Sequence, residues 1–336
     1  MTLQQRVERM WWSTARPPVW LIAISRLYAG MSRLHLRQRQ RRAHTLSVPL
    51  ISVGNITVGG SGKTPFVLWL VRALQRKGYA PVILCRGDGG RGQGVCQVDA
   101  DSNPLEVGDE ACVLARMSQS PVVSARDRVA GAKLAESLGD IVILDDGFQY
   151  QQLVRNCDIV LVPSCGLGNG QLIPAGPMRE PVSQLARADI VVRSGADAVA
   201  PIKTNLRQWR WQAEAGALED VMQRQLLWSG DAACVLTGIA RPERFLADVR
   251  AQGIEIRQRL LFPDHYRFVR KDIQPLLATD LPVVTTMKDA VKLVAIWPEN
   301  RPLWVLMQQY RAEPGLLEAI MRHFAIDCRM DAGLLG

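Results

Sequence analysis

The stretch Ile51-Ser52-Val53-Gly54-Asn55-Ile56-Thr57-Val58-Gly59-Gly60-Ser61-Gly62-Lys63-Thr64-Pro65 constrains this chain more than any other. An apolar run enters a glycine-rich turn, and Gly-Lys-Thr then leads straight into a helical pattern. That order builds a phosphate cradle, because glycines let successive backbone N–H groups converge on an anion at a helix N-terminus. Lys63 neutralises the anion, and the Thr64 hydroxyl is placed to bind Mg²⁺. The expected nucleotide site is Thr57, Val58, Gly59, Gly60, Ser61, Gly62, Lys63 and Thr64. Thr57 departs from the strict G-x-x-x-x-G-K-[ST] pattern, which asks for glycine there. A glycine turn with an incidental lysine is the plainer reading, but it leaves the flanking strand and helix unexplained.

A second apolar run, Ile141-Val142-Ile143-Leu144, ends in Asp145-Asp146-Gly147. A buried strand ending in acids delivers carboxylates to its tip, where they hold Mg²⁺ beside a phosphate-binding threonine. Neighbours on an extended strand face opposite ways, so the two acids are expected to differ in role. Val107-Gly108-Asp109-Glu110 opens a helix with two acids in its first turn, a place where capping alone would favour them. Arg126 and Arg128 follow the strand-like Pro121–Ser124, at the edge where ligands bind in open α/β sheets. Arg86 and Arg91 lie in a glycine-rich loop and either reach phosphate or line a solvated turn. His265, in Phe262-Pro263-Asp264-His265-Tyr266, is either an acid–base group or part of a capped turn. The Gly- and Pro-rich run from Gly168 to Pro181 is a long irregular loop of the kind that carries function.

Strand and helix patterns alternate through residue 193 and resume at Ala232. This predicts an α/β fold of the P-loop NTPase type, with a mostly parallel sheet covered by helices on both faces. A smaller C-terminal α/β domain is expected across a cleft. The boundaries are 1–44 for a basic amphipathic segment, 45–200 for the core, 201–230 for linker strands and 231–336 for the second domain.

The net charge of +9 sits almost wholly at the start, since nine arginines and Glu8 give residues 1–48 a charge of +8. The uncharged run Pro17–Ser25 is far short of the ~20 residues needed to span a bilayer, and Arg26 interrupts any signal-peptide core. On a helical wheel Trp20, Ile24, Leu27, Met31 and Leu34 share one arc, whereas Arg26, Arg33 and Arg37 share another. That pattern fits an interfacial helix on anionic lipid, or else a surface helix packed on its own protein. Arg37 to Arg42 lack the interleaved aromatics of a nucleic-acid binder, so no nucleic-acid partner is expected. Seven cysteines without a C-x-x-C pair suggest neither zinc nor a disulfide framework.

The run Val53 to Pro65, Arg86-Gly87, Val107-Gly108-Asp109-Glu110, Leu144-Asp145-Asp146-Gly147-Phe148-Gln149, Gly168-Asn169-Gly170, Pro174-Ala175-Gly176-Pro177-Met178-Arg179-Glu180, Phe262-Pro263-Asp264-His265 and Lys288-Asp289-Ala290-Val291-Lys292 carry a family resemblance. The chain resembles the tetraacyldisaccharide 4'-kinases, which phosphorylate the lipid A disaccharide precursor of Gram-negative bacteria. That family carries threonine where Thr57 stands. The resemblance implies ATP as donor, Mg²⁺ as cofactor and the 4'-hydroxyl of a tetraacyldisaccharide 1-phosphate as acceptor. It also implies a peripheral place on the cytoplasmic face of the inner membrane, reached through residues 1–44, with no obligate protein partner evident.

By the same resemblance, Asp109 and His265 form a dyad that takes the proton from the 4'-hydroxyl. Lys63 is assigned to the β- and γ-phosphates, Thr64 with one or both of Asp145 and Asp146 to Mg²⁺, and Glu110 to supporting the metal or the dyad. Arg86, Arg126, Arg128, Asn169 and Arg179 are the weaker candidates for substrate or phosphate contacts. The chain departs from the family at Asp88, Tyr150 and Met287, where tyrosine, histidine and glutamate are usual. Asp109 and His265 are expected on different lobes, meeting only when ligands bind. A membrane-associated P-loop ATPase is the alternative, and it would need no acceptor base.

Overall fold

A computed structural model describes residues 3–13, 16–40, 43–58, 62–195, 202, 204–222, 228, 230–240 and 242–324. The first half holds α1 (Leu3–Trp11), α2 (Val19–Gln40), β1 (Leu50–Asn55), α3 (Lys63–Gln75), β2 (Pro81–Cys85), β3 (Val95–Val98), α4 (Pro104–Val107), α5 (Asp109–Ser118), β4 (Val122–Ala125), α6 (Arg128–Ala135), β5 (Ile141–Asp145) and β6 (Cys157–Val162). The second half holds β7 (Ile190–Ser194), β8 (Gln208–Asp220), β9 (Ala232–Thr237), α7 (Pro242–Ala251), β10 (Glu255–Leu261), α8 (Arg270–Leu277), β11 (Val283–Thr285), α9 (Met287–Leu293), β12 (Trp304–Ala312) and α10 (Leu316–Met321).

Twelve strands form one sheet in the order β10-β9-β11-β12-β8-β7-β6-β1-β5-β2-β4-β3. Among the described residues only β8 with β12 and β3 with β4 pair antiparallel. The central strands are buried on both faces, which is why they read as unbroken apolar runs. Ile51, Val53, Ile83 and Ile143 pack with Phe66, Leu70 and Leu74 of α3. Leu50, Val82 and Leu144 pack on the opposite face with Ala132 and Ala135 of α6. Each fully buried Leu, Ile, Val or Phe contributes about 1.5–3 kcal/mol, so this double layer sets the position of everything at its edge.

β1 and β5 are parallel neighbours, with Val53 in register with Asp145, so the phosphate loop and the acidic strand tip emerge side by side. Gly54 makes that closeness possible. A Cβ there would lie 2.5 Å from Phe148 Cβ, and only a glycine lets the turn after β5 close over β1.

The stretch expected as linker strands contributes one long strand, β8, parallel to β7 and antiparallel to β12. It thereby continues the sheet from one half into the other. Its buried Trp209 and Trp211 explain this: Trp211 meets Phe66 of α3 edge-on at 5.4 Å and stacks on Tyr310 of β12 at 5.8 Å. Beyond β8, α7 covers one face of the C-terminal strands, and α8 and α9 cover the other. α9 also packs against α5 of the first half, and that contact forms one wall of the cleft.

The N-terminal helices dock on the Gly- and Pro-rich loop. Trp11 Nε1 donates to Pro174 O at 2.9 Å, and Ser25 on α2 donates to Leu172 O at 2.8 Å and accepts from Ala175 N at 3.1 Å. The same loop reaches the phosphate loop, where Val58 N donates to Pro177 O and Arg179 N to Ile56 O, both at 2.7 Å. With Ser25 turned inward, the opposite face of α2 leaves Val19, Trp20, Ile24, Leu27 and Met31 exposed. The side chains of Arg33, Leu34 and Arg37 lie outside the described residues. Among the described residues no helix is long and apolar enough to cross a membrane.

Candidate active site

Gly62 starts α3 in the left-handed region, with φ 79° and no side-chain cap, so the first-turn N–H groups of the helix have no side-chain acceptor from the cap position. Gly59, Gly60 and Ser61 lie outside the described residues. Thr57 is buried and bridges to Met178, which anchors the loop's start. Lys63 and Thr64 then open the helix facing the tip of β5.

The two acids at that tip do differ, though strand alternation is not the cause. β5 ends at Asp145, and Asp146 turns away with φ 51°. Asp146 meets Lys63 Nζ at 3.2 Å and Arg179 Nη1 at 2.8 Å. Burial would raise its pKa, but Lys63 and Arg179 outweigh that and hold it well below the usual carboxylate range. Asp145 is fully buried, and burial with the nearby Glu110 pushes it up to about 7. Its Oδ1 has no hydrogen-bond partner. A carboxylate destabilised in this way, with Glu110 nearby, is suited to a cation. No three carboxylate, histidine or cysteine side chains gather into a protein-only cage among the described residues. Mg²⁺ does not require one, since it binds through one or two carboxylates together with waters and phosphates.

Across the cleft, His265 Nδ1 lies 3.0 Å from Asp109 Oδ2. The expectation that these residues stay apart until the lobes close is therefore corrected. The cause is electrostatic: α9 carries Lys288 and Lys292 on one face, and both approach the acids at the start of α5, Lys288 at 4.0 Å from Glu110 and Lys292 at 3.8 Å from Asp109. Lys288 also reaches Asp264 at 3.1 Å and His265 Nε2 at 3.2 Å. An ammonium only donates, so Nε2 accepts, and Nδ1 carries the proton that faces Asp109. Burial opposes the charge on Asp109, but the His265 hydrogen bond and the two lysines hold its pKa below the ordinary value. The hydrogen bond to Asp109 raises His265 in turn, against the effect of burial. Asp109 is thus a buried carboxylate whose partners favour its charged, proton-accepting form.

The weaker candidates divide. Arg179 stays at the centre through Asp146. Arg128 is buried, donates to Asp146 O at 2.8 Å and lies over the Tyr150 ring at 5.2 Å, so it braces the acidic turn from behind. Arg126 holds the glycine-rich loop through Gly90 O at 3.1 Å, and the exposed Arg86 pairs with Asp88 at 3.5 Å. Asn169 is spent on the loop and the first helix: it donates to Ala175 O at 2.9 Å and Met10 O at 3.3 Å. It organises the loop rather than facing the cleft acids.

The sequence profile described as "Tetraacyldisaccharide-1-P 4'-kinase" matches residues 18–325. The chain belongs to the tetraacyldisaccharide 4'-kinase family. A relative named tetraacyldisaccharide 4'-kinase from Chromobacterium violaceum is 38% identical over 334 residues, covering 94% of this chain and 96% of the relative. One of the same name from Halorhodospira halophila is 41% identical over 271 residues, covering 80% of each chain. The crystal structure of LpxK from Aquifex aeolicus in complex with ATP superposes with a TM-score of 0.78 at 28% identity, covering 91% of this chain and 99% of that one.

Family membership makes sense of the departures. Asp88 pairs with Arg86 and Tyr150 lies under Arg128, so each substituted side chain has a local partner. Met287 lines a cavity of about 300 Å³ that opens from Thr64 between α3, α5, α7 and α9. Three polar residues entered the sequence analysis without an assigned role: Asp264, Lys288 and Lys292. The signal for the two lysines was present in Lys288-Asp289-Ala290-Val291-Lys292, where an i, i+4 pair shares a helix face. Only the fold shows that this face looks at Asp109.

Proposed function

We infer that this chain is an ATP-dependent kinase of the 4'-hydroxyl of tetraacyldisaccharide 1-phosphate. One observation carries the mechanism: a phosphate-loop lysine beside the acidic tip of β5, with the Asp109–His265 pair at 3.0 Å across the same cleft. Phosphoryl transfer needs positioning and charge neutralisation, plus a base on the nucleophile's side. Lys63 and Arg179 are the cations for the phosphate charge, and Asp109 is the base, oriented by His265. Thr64 and Asp145, supported by Glu110 and Asp146, would hold Mg²⁺. When bound, it would neutralise charge on the β- and γ-phosphate oxygens.

The decisive assay follows γ-labelled phosphate from ATP to the glycolipid in mixed micelles with Mg²⁺, against a chelated control. Labelled glycolipid is the expected product. ATP consumption without labelled lipid would overturn the kinase reading in favour of an ATPase.

The exposed apolar face of α2 supports peripheral attachment to a membrane surface, and a cytoplasmic inner-membrane face is where the donor ATP would be available. Trp20→Ser with Leu27→Ser is expected to weaken binding to anionic vesicles at least about tenfold, since each large apolar group buried contributes about 1.5–3 kcal/mol. Undiminished binding, measured by co-sedimentation, would refute that attachment.

A further inference from the structure

We propose that Lys292 is a positioning residue for phosphate transfer, fixing Asp109 through Oδ2 so that Oδ1 is the atom that takes the acceptor's proton. The inference rests on the kinase reading above. Lys292 is only 11% exposed, with Nζ 3.1 Å from Asp289 Oδ1 and 3.8 Å from Asp109 Oδ2. Its anchor is rigid: Asp289 is fully buried, and its Oδ2 accepts from Thr237 Oγ1 at 2.8 Å, Gly238 N at 3.0 Å and Thr286 Oγ1 at 2.8 Å. The ammonium also lies 5.1 Å from the Phe268 ring centroid, which limits where it can swing.

Asp109 Oδ2 therefore faces two groups from the C-terminal half, His265 Nδ1 at hydrogen-bond distance and Lys292 Nζ as a longer ion pair. Asp109 Oδ1 accepts from Glu110 N at 3.0 Å and lies beside Gly89 of the glycine-rich loop. Gly89 borders that flank: a Cβ there would be in van der Waals contact with Oδ1 at 3.8 Å, and glycine leaves that space empty. A carboxylate free to rotate would exchange its oxygens and spend time with the wrong one presented to the acceptor. One hydrogen bond and one cation on the same oxygen bias the carboxylate against that rotation, which is how outer groups preorganise a reacting one. In the step itself the acceptor O–H proton passes to Oδ1. The electron pair left on the acceptor oxygen attacks the γ-phosphorus, and the bond to the β–γ bridging oxygen breaks, with its pair leaving on ADP.

The test compares kcat and KM for ATP in the native enzyme, Asp109→Asn, Lys292→Met and the double variant, with single-turnover assays for the slow ones. Lys292→Met is expected to lower kcat about 10- to 100-fold, as outer partners of site ligands do, with KM for ATP unchanged. In the Asp109→Asn background the same change should cost less than about twofold, since a residue acting through Asp109 has nothing left to act through. Equal losses in both backgrounds would make Lys292 a general support of the C-terminal half and overturn the proposal. Native kcat in Lys292→Met, with Asp109→Asn inactive, would overturn it as well. Full activity in Asp109→Asn would instead bring down the dyad reading and this proposal with it. Because Lys292→Met leaves Asp289 unpaired in the core, Lys292→Gln is the second variant, with native ATP affinity as its check of folding. It too should lose kcat.

Discussion

Replacing His265 by alanine is expected to lower kcat for phosphate transfer about 10²- to 10⁴-fold, the range removed with a positioned acid–base group. ATP affinity should stay native, because His265 lies with Asp109, Asp264 and Lys288, apart from the phosphate loop. The size of the effect follows from what is left behind. Without the imidazole, Lys288 Nζ keeps Asp264 at 3.1 Å but loses its acceptor at Nε2, and Asp109 loses its shortest side-chain hydrogen bond. The carboxylate then has one orienting group fewer at the moment it must take a proton. Comparing rates for lipid labelling and for ATP hydrolysis separates the two function classes. A hydrolytic enzyme needs no acceptor base, so His265→Ala would leave its ATP turnover near native while no lipid is labelled in either protein. A kinase loses labelling selectively. Labelling that survived at more than about a tenth of native would remove His265 from the mechanism.

The phosphate loop was legible because its signal is local: a strand, glycines and Lys-Thr in one stretch encode both the backbone shape and the charge. The acidic strand tip was legible for the same reason, and the register of β1 with β5 put the two motifs together as parallel-sheet reasoning expects. Asp145 and Asp146 have different surroundings, but strand alternation does not produce them. The left-handed turn at Asp146 depends on Phe148 closing against Gly54, a contact between residues 94 apart in sequence. Apolar periodicity in 201–230 was weak because β8 buries two tryptophans against α3 and β12 while many of its other residues remain partly exposed. Its long-range partners decide its place in the sheet. The lysine face of α9 was hidden for a similar reason. Two lysines at i, i+4 usually make a solvated face, and only the packing of α9 on α5 turns this pair toward buried acids.

Lys63→Ala is expected to lower kcat/KM for transfer at least about 10²- to 10³-fold, the cost of removing one preorganised electrostatic contact to the reacting group. Stability should change far less. Lys63 and Asp146 are 17% and 23% exposed, and Arg179 remains 2.8 Å from the same carboxylate, so Asp146 keeps a cation. Losing one of two cations from a carboxylate that stays paired costs far less than leaving it unpaired in the interior. The two numbers together discriminate between roles. If the lysine were mainly a structural counter-ion for Asp146, its loss would appear in thermal unfolding, and Arg179→Ala, which removes the other partner, would do the same. If it serves the phosphates, unfolding stays near native while transfer collapses, and ATP affinity falls with it because ground-state charge is neutralised by the same ammonium. Calorimetry, nucleotide titration and the labelling assay on one preparation read all three quantities. Transfer above about a tenth of native in Lys63→Ala would mean that Arg179 and the helix N-terminus suffice for the phosphate charge. The phosphate-loop lysine would then be a partner of Asp146 first and a ligand second.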